Sequence, residues 1–350
     1  MHDVHARPPD SIRGLFKAWR KRPPQTVDDD RDIIDPSQPD ASKVLFIQGA
    51  TDHQGHDLER LATSFLESTT VQDLAEPPGT ISPLRPAFEI RVLPGLYVFP
   101  FLLTPQFQIA LLEKLLHRDL SNPVHATNLH LHYDISHPKL NNGLDGHHND
   151  SSSSFFGADQ GSILHPKDSA MHKPITYAQM LESKLRWMTL GGQYDWTNKV
   201  YPDEIPPTFP PDIATFLKSL FPTVDAQAAI VNFYSPGDTL SVHRDVSEEC
   251  NNGLISISLG CDGVFIAGNE DGTHLATLRL RSGDVVLMSG ESRYAWHGVP
   301  KILPNTCPEW LRDWPNIPKG QRYEGWEGWM ANKRINLNVR QMTDVTLKRP

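Results

Sequence analysis

Three residues of this chain have the types and the order of a metal-binding set. His243 and Asp245 lie two positions apart within residues 240–245, and His297 follows in a second strand-like segment. Alternate residues of a β-strand point to the same side, so a strand here would present His243 and Asp245 together. Two histidines and one carboxylate are the ligands of non-haem iron(II) oxygenases, which keep metal positions open for cosubstrate and oxygen. Taken alone the pattern is weak, because a chain with sixteen histidines can contain it by chance.

A row of polar side chains near the end of the chain suggests a partner for this metal. Residues 334–340 alternate strictly between polar and apolar types, and the polar positions are Arg334, Asn336, Asn338 and Arg340. A strand of a jelly roll packs its apolar side against the rest of the protein. The polar side of this strand would then face the interior mouth of the roll. Buried guanidinium groups are costly without an anion, and a dicarboxylate cosubstrate clamped by Arg334 would supply one. The alternative is a polar strand face exposed at a sheet edge.

A third pair of candidates precedes the first histidine. Asn232 and Tyr234 would share one face of a strand, and the turn at 235–238 then leads to the strand of His243. An amide and a phenol on that face could hydrogen-bond the carboxylates of the same cosubstrate. The three groups together favour an oxygenase site over a chance pattern.

The elements that must position these residues are predicted to be mainly β-strands. From residue 228 onward, short apolar runs separated by Gly, Asp and Asn are typical of a sandwich or a jelly roll. Strands are predicted at 229–234, 240–246, 254–260, 263–267, 274–281, 284–288, 294–299 and 333–341. Helices are predicted to follow a cap at Thr104 and to cover 211–221.

The composition divides the chain into four parts. Polar, proline-rich residues 1–42 predict a disordered N-terminal segment, and 43–133 an extension of helices and strands. Residues 134–172, rich in Ser, His, Asn and Gly, predict a flexible insertion. Residues 173–350 would then form the catalytic jelly-roll domain.

One part of the N-terminal segment is basic and amphipathic. Residues 11–22 read SIRGLFKAWRKR, which suits a weak targeting signal, a nucleic-acid-binding arm or a solvated tail. Asp3 and Asp10 count against a mitochondrial presequence, because such peptides are poor in acidic residues.

The overall composition is that of a globular protein without a membrane span, with 38% hydrophobic and 21% charged residues. The three cysteines, Cys250, Cys261 and Cys307, form no C-x-x-C pair, which favours a reducing, intracellular compartment. We expect a nuclear or cytoplasmic location, with the mitochondrion as a third alternative, and a monomer. The formal net charge of −9 opposes nucleic-acid binding, so a nucleic-acid substrate would require a local basic groove.

In their order along the chain, these motifs resemble the signature of the AlkB family. That signature is N-x-Y (232–234), P-G, H-x-D (243–245), a later His (297) and R-x-N-x-x-x-R (334–340). The segments LRWMTLG, SGESRYAWHGVP and RINLNVRQM are similar to the AlkB homologue 1 branch in particular. The resemblance extends from about residue 90 to residue 342.

The resemblance implies a double-stranded β-helix, or jelly roll, that is mainly β with flanking helices. It implies an oxidative demethylase of N-methylated bases that uses iron(II), 2-oxoglutarate and O2 and releases formaldehyde, succinate and CO2. Its substrate would be methylated adenine in tRNA first and methylated DNA second. By the same resemblance the metal ligands are His243, Asp245 and His297, and the 2-oxoglutarate ligands are Asn232, Tyr234, Arg334 and Asn336, with Arg340 nearer the metal.

The resemblance also indicates where the substrate would bind. Tyr194 and Trp196 occupy the loop where family members carry base-stacking aromatics. Ser247 stands where bacterial repair members carry an acidic residue, so their base preference does not transfer. Five aromatic residues could stack bases or cover a sheet face; they are Trp310, Trp314, Tyr323, Trp326 and Trp329.

Two other functions remain compatible with these residues. A protein hydroxylase or histone demethylase would use the same iron site, and an acidic protein would attract basic peptides. A non-catalytic jelly-roll binding module is the second alternative, although such a module has no reason to keep both the ligand set and the arginine row.

Overall fold

The computed structural model describes residues 3–47, 63–66, 86–138, 154–195, 200–202, 204–317 and 323–344. The strands are β1 (Val44–Ile47), β2 (Ala87–Ile90), β3 (Leu96–Phe99), β4 (Tyr133–Asp134), β5 (Ile163–Pro166), β6 (Ile175–Thr176), β7 (Trp187–Gly191), β8 (Ala228–Tyr234), β9 (Leu240–His243), β10 (Leu254–Gly260), β11 (Gly263–Gly268), β12 (Leu275–Leu280), β13 (Val285–Met288), β14 (Trp296–Ile302) and β15 (Arg334–Arg340). The helices are α1 (Asp10–Lys21), α2 (Pro105–Glu113) and α3 (Pro211–Leu220), with a helical turn at Tyr177–Gln179. Shorter 3-10 and π turns lie at Pro24–Val27, Lys114–Asp119, Phe155–Gly157, Met180–Lys184, Gly290–Tyr294, Glu309–Leu311, Glu324–Trp326 and Trp329–Asn332.

Two antiparallel sheets form the jelly roll. The large sheet has the strand order β1-β2-β3-β13-β10-β15-β8-β7, and the small sheet has the order β12-β11-β14-β9. A third sheet, outside the jelly roll, contains β4, β5 and β6. The prediction of a mainly β jelly roll with flanking helices is therefore confirmed, and strands occur at all eight positions predicted from residue 228 onward.

The alternation of β15 explains how one strand serves both a core and a site. Ile335, Leu337 and Val339 are fully buried in the main hydrophobic core, which also contains the buried side chains of α2 and α3. The polar side chains of the same strand are buried as well. Because β15 lies between β10 and β8 in the sheet, the alternative of an exposed edge strand is excluded.

The large and small sheets approach each other closely at Arg334. A Cβ atom added to Gly263 of β11 would lie 2.8 Å from Nε of Arg334, so only glycine leaves room for this guanidinium. Nη1 of Arg334 donates to the carbonyl oxygens of Cys261 and Leu280, at 3.1 and 3.3 Å. Arg334 thus joins the large sheet to β12 and to the turn before β11.

The prediction of a disordered segment at 1–42 is wrong for the part of it that the structure describes. Helix α1 lies against β14, β11 and β9 of the small sheet. Ile12 and Trp19 are 0% and 2% exposed and form a second hydrophobic core with small-sheet residues. The apolar residues of this segment are few, but they repeat at helical spacing, and composition averaged over forty residues conceals such a stripe.

The prediction of a flexible insertion at 134–172 is also wrong in part. Residues 139–153 lie outside the described residues, but Phe155 and Phe156 are buried in the main core. The ring of Phe156 packs edge-on against Trp314, Trp326 and Trp329. These tryptophans are buried, so they cover the protein core and are not available to stack bases.

The N-terminal extension predicted at 43–133 is part of the same fold. Strand β3 pairs with β13, so β1, β2 and β3 complete the large sheet. Helix α2 begins after Thr104, as predicted, although the Thr104 side chain makes no capping hydrogen bond, and the helix continues into the π turn at Lys114–Asp119. Among the described residues, none of the helices has the length and apolar character that crossing a bilayer requires.

Candidate active site

Neighbouring strands of the small sheet bring the predicted metal ligands together. His243 at the end of β9 is the cross-strand partner of His297 in β14, and the centroids of their rings lie 4.4 Å apart. Asp245 follows β9 and turns towards both rings. One ligand atom from each of the three residues lies within 4.8 Å of the others, so the group could hold one metal ion.

Both imidazole rings are oriented by backbone carbonyl groups. Nδ1 of His243 lies 2.9 Å from the carbonyl oxygen of Ser241, and Nδ1 of His297 lies 3.0 Å from that of Ala295. A carbonyl oxygen only accepts, so each Nδ1 carries a proton and each Nε2 keeps its lone pair for a metal. The two Nε2 atoms lie 4.0 and 3.6 Å from the carboxylate of Asp245.

The carboxylate of Asp245 has one paired and one unpaired oxygen. Oδ1 accepts a hydrogen bond of 2.8 Å from Nη2 of Arg340. Oδ2 is buried and has no hydrogen-bond partner among the described residues. An unpaired buried carboxylate oxygen is costly unless a cation faces it. Together with the two Nε2 lone pairs, this oxygen fits a divalent metal ion.

The charges of these groups suit a metal. Burial alone would raise the pKa of Asp245, but Arg340 and the two imidazoles hold that pKa below its usual value. Burial and the neighbouring His243 lower the pKa of His297 to about 4. At neutral pH Asp245 is therefore ionised and His297 is neutral, which are the forms that bind metal.

His243 and Asp245 lie close together, as predicted, but for a different structural reason. Strand β9 ends at His243, so Asp245 is not on the same strand face as predicted. Arg340 holds the carboxylate of Asp245, and Nη1 of Arg293 donates to its backbone carbonyl at 2.9 Å. Two arginines from distant segments thus orient Asp245, where the alternation of side chains along one strand was expected to do so.

A buried carboxylate connects these two arginines. Glu248 accepts from Nη2 of Arg293 at 3.0 Å and lies 3.2 Å from Nε of Arg340. The side chains of Glu248 and Arg293 are 2% and 1% exposed. Glu248 and Arg293 were not among the predicted site residues. Arg293 stands in the SGESRYAWHGVP motif, whereas Glu248 carried no signal beyond its nearness to Asp245.

The predicted cosubstrate residues face one another across strands of the large sheet. Arg334 of β15 is the partner of Tyr234 of β8, and Asn336 is the partner of Asn232. Arg334 is 1% exposed, and its Nη2 donates to Oγ of Ser258 at 2.8 Å. Nε of Arg334 and Oη of Tyr234 are buried, and neither has a hydrogen-bond partner within the described ranges.

A cavity of about 430 Å³ opens beside the metal ligands. His243, Asp245, Asn232 and Arg340 line it. Its lining also includes Asn338, Ser247, Glu248, Tyr194, Tyr201, Arg244 and Trp296, and residues 3, 4, 6 and 8 of the N-terminal segment. The remaining predicted cosubstrate residues, Tyr234, Arg334 and Asn336, are buried further along the strands and do not line this cavity.

Two of the three predicted substrate contacts meet in the cavity wall. Oη of Tyr194 lies 3.4 Å from Oγ of Ser247. The ring of Tyr201, which was not predicted, packs edge-on to Tyr194 with centroids 5.2 Å apart. Trp196 lies outside the described residues. Tyr201 belongs to the same aromatic loop as Tyr194, and that loop was the signal that could have identified it.

Comparison with known proteins gives consistent matches. Residues 147–340 match the 2OG-Fe(II) oxygenase superfamily. The chain is 44% identical to the "N6-methyladenosine RNA demethylase ALKB1" of Pyricularia oryzae, over 98% of both chains. It is 53% identical to the "N6-methyladenosine RNA demethylase ALKBH" of Cryphonectria parasitica, over 62% of this chain and all of the relative. It is 39% identical to the "tRNA demethylase abh1" of Schizosaccharomyces pombe, over 73% of this chain and 81% of the relative.

Proposed function

This chain belongs to the AlkB family of the 2OG-Fe(II) oxygenase superfamily, and we propose that it oxidatively removes N-methyl groups from adenine in RNA, with tRNA as the first substrate to test. As a member of that superfamily it is a dioxygenase that uses iron(II), 2-oxoglutarate and O2. The names of its fungal relatives support RNA as the substrate, since they are described as RNA and tRNA demethylases.

The observation that carries this proposal is the meeting of three metal-binding atoms at the wall of the cavity. Nε2 of His243, Nε2 of His297 and Oδ2 of Asp245 would hold the iron. Bound there, iron(II) with 2-oxoglutarate and O2 supplies the oxidation that releases a methyl group as formaldehyde, with succinate and CO2 as coproducts. Because Asp245 is ionised and His297 neutral at pH 7, neither has to lose a proton to bind the metal.

We assign the binding of 2-oxoglutarate to the polar row between the sheets. Arg334 offers Nε, and Tyr234 offers Oη, as buried groups that have no other partner among the described residues. A guanidinium and a phenol together suit one end of a dicarboxylate. Asn232 and Asn336 lie two residue pairs along the same strands, in the direction of Arg340 and the metal ligands. Burial keeps the pKa of Tyr234 above its usual value, so this phenol can donate a hydrogen bond.

A target base would occupy the cavity beside the metal ligands. Tyr194 and Tyr201 offer aromatic rings for stacking, and Ser247 offers a small polar contact. A base inside a duplex cannot reach such a cavity without being flipped out. Unpaired bases of tRNA loops or single strands are therefore the preferred substrates.

The test measures succinate and formaldehyde from purified protein with iron(II), ascorbate and 2-oxoglutarate. Bulk tRNA, N6-methyladenine DNA and a methylated histone peptide are assayed as alternative substrates in separate reactions. The Asp245→Ala variant serves as the control. We expect turnover with tRNA, loss of methylated adenine from its nucleosides, and no turnover in the variant. Turnover with the peptide alone would favour a protein demethylase. Absence of turnover with metal bound would favour a binding module.

A further inference from the structure

Helix α1 carries a stripe of basic side chains along one face. Arg13, Lys17, Arg20 and Lys21 follow the spacing i, i+4, i+7, i+8, which places them on one side of a helix. Lys17, Arg20 and Lys21 are exposed. Arg13 forms an ion pair with Asp10 in the first turn of the helix. Within the described residues no carboxylate pairs with the three exposed cations, which we call the α1 stripe.

The apolar face of the same helix is already occupied. Ile12 and Trp19 are buried in the second hydrophobic core, with Val264 and Trp296 of the small sheet. A basic amphipathic helix binds a bilayer by inserting its apolar face. Since α1 uses that face to dock on the sheet, only its basic face is available to a partner. The stripe therefore suits an anionic polymer better than a membrane.

The segment that leads into α1 forms part of the cavity wall. Asp3, Val4, Ala6 and Pro8 line the cavity beside His243. Oγ of Ser11 donates to the carbonyl of Gly272 at 2.8 Å and fixes the start of the helix. The exposed Arg7 lies between two of the lining residues. The N-terminal segment therefore forms one side of the cavity that a target base would enter.

The dimensions of the stripe match a short stretch of nucleic-acid backbone. A helix rises about 1.5 Å per residue, so Lys17 and Lys21 are separated by about 6 Å along the axis. Successive phosphates of one strand are separated by about 3.4 Å along a duplex axis, so about two of them lie along this length. The chain as a whole is acidic, with a formal net charge of −9. Phosphates therefore require a local basic surface, and α1, which continues from the cavity-lining segment, offers one.

We propose that the α1 stripe, together with Arg7, binds phosphate groups of the RNA strand that flanks the target base. The inference rests on the proposed function, because it assumes that a nucleic-acid base enters the cavity. It gives a binding role to a segment that composition alone assigned to disorder. Phosphate contacts of this kind fix the position of a strand and do not select its sequence.

The test is a triple variant, Lys17→Gln, Arg20→Gln and Lys21→Gln, in the full-length protein. Fluorescence anisotropy measures its affinity for an unmethylated single-stranded RNA oligonucleotide at several salt concentrations. We expect the affinity to fall at least tenfold at low salt. The slope of log K against log salt should decrease by about 2, since each lost single-strand phosphate contact removes about 0.7. The melting temperature should stay unchanged, because all three side chains are exposed.

A matched control removes the same charge elsewhere. Lys167→Gln, Lys173→Gln and Arg312→Gln change two exposed lysines and one exposed arginine that lie elsewhere in the chain, outside the cavity, and that pair with no carboxylate among the described residues. This control should keep the affinity and the salt slope of the wild type. Equal loss in both variants would reduce the effect to net charge and overturn the proposal.

Two further results separate this inference from the proposed function. If the stripe variant binds RNA like the wild type while both demethylate tRNA, the inference is wrong and the proposed function stands. If the wild type neither binds nor demethylates RNA, both are wrong. Vesicles containing anionic lipid form the third arm. Binding to them that depends on the stripe, with RNA binding unaffected, would assign the helix to a membrane and overturn the inference.

Discussion

Arg340 donates a hydrogen bond of 2.8 Å from Nη2 to Oδ1 of Asp245, and this contact leaves Oδ2 of the same carboxylate without a partner among the described residues. The position of the free oxygen therefore depends on the position of the guanidinium. Arg340 is in turn held by Glu248, at 3.2 Å from Nε to Oε1. A candidate metal ligand is thus oriented by two side chains that are not themselves candidate ligands.

The first prediction concerns Glu248 as a positioning residue. Glu248→Gln should lower the affinity for Co(II), used as a spectroscopic substitute for iron(II), by about tenfold, since neighbours of ligands typically contribute this much. The variant should also be destabilised by about 3 kcal/mol, because Arg293 and Arg340 lose a buried counter-charge. Optical titration and urea denaturation measure the two effects. The exposed neighbouring residue Glu249 provides the control, and Glu249→Gln should change neither the Co(II) affinity nor the stability. An unaltered Co(II) affinity in Glu248→Gln would contradict the positioning role.

The second prediction separates cosubstrate binding from metal binding. Arg334→Lys keeps a positive charge but loses the planar guanidinium, so the KM for 2-oxoglutarate should rise at least tenfold. Co(II) affinity should stay within about twofold, because the guanidinium of Arg334 makes its hydrogen bonds to Cys261, Leu280 and Ser258 and none to the metal ligands. Steady-state kinetics and Co(II) titration check the two values. Equal loss of both would contradict the role assigned to Arg334.

The third prediction tests base stacking in the cavity. Tyr194→Ala should raise the KM for methylated RNA about tenfold, because stacking on one aromatic ring contributes about 1–3 kcal/mol. Tyr194→Phe keeps the ring and removes the hydroxyl, which lies 3.4 Å from Oγ of Ser247, so its KM should change by less than about threefold. The kinetics of the two variants on one methylated oligonucleotide provide the comparison. Similar losses in both would show that the hydroxyl matters and the ring does not.

The fourth prediction is a pH dependence of stability at Asp35. Burial alone would raise the pKa of Asp35, but hydrogen bonds from Arg281 and Ser37 outweigh it and lower the pKa to about 2. A carboxyl with a lowered folded-state pKa stabilises the fold above its unfolded pKa near 3.8, and this contribution is lost as pH falls towards 2. The partly exposed pair with Arg281 should contribute about 1 kcal/mol at pH 7.

Thermal melts of the wild type and Asp35→Asn measure this contribution. Their melting temperatures should differ at pH 7 and converge between pH 4 and pH 2. Ser37→Ala, which removes a neutral partner of Asp35, serves as a milder control. A difference that stays constant over this range would mean that the ionised pair with Arg281 does not stabilise the N-terminal segment.

Motifs and strand alternation were predictable because they depend on neighbours in the chain. The alternation of residues 334–340 predicted one polar and one apolar face, and both are observed on β15. The order of H-x-D and the later histidine predicted a metal-ligand set, and the structure brings those three residues together. The ligand of the polar residues on β8 and β15 is a proposal, because the alternation of residue types along a strand identifies a polar face and not the ligand that it binds.

Relationships between distant segments were decided only by the tertiary structure. Glu248 and Arg293 are 45 positions apart, and their pairing depends on how the chain returns after β13. The end of β9 at His243, which frees Asp245 from the strand, depends on the register of β9 against β14. The docking of α1 buries the apolar face of this helix against the small sheet. Local pattern determines which face of an element is apolar, whereas the identity of the surface that buries it depends on contacts between segments that are far apart in the chain.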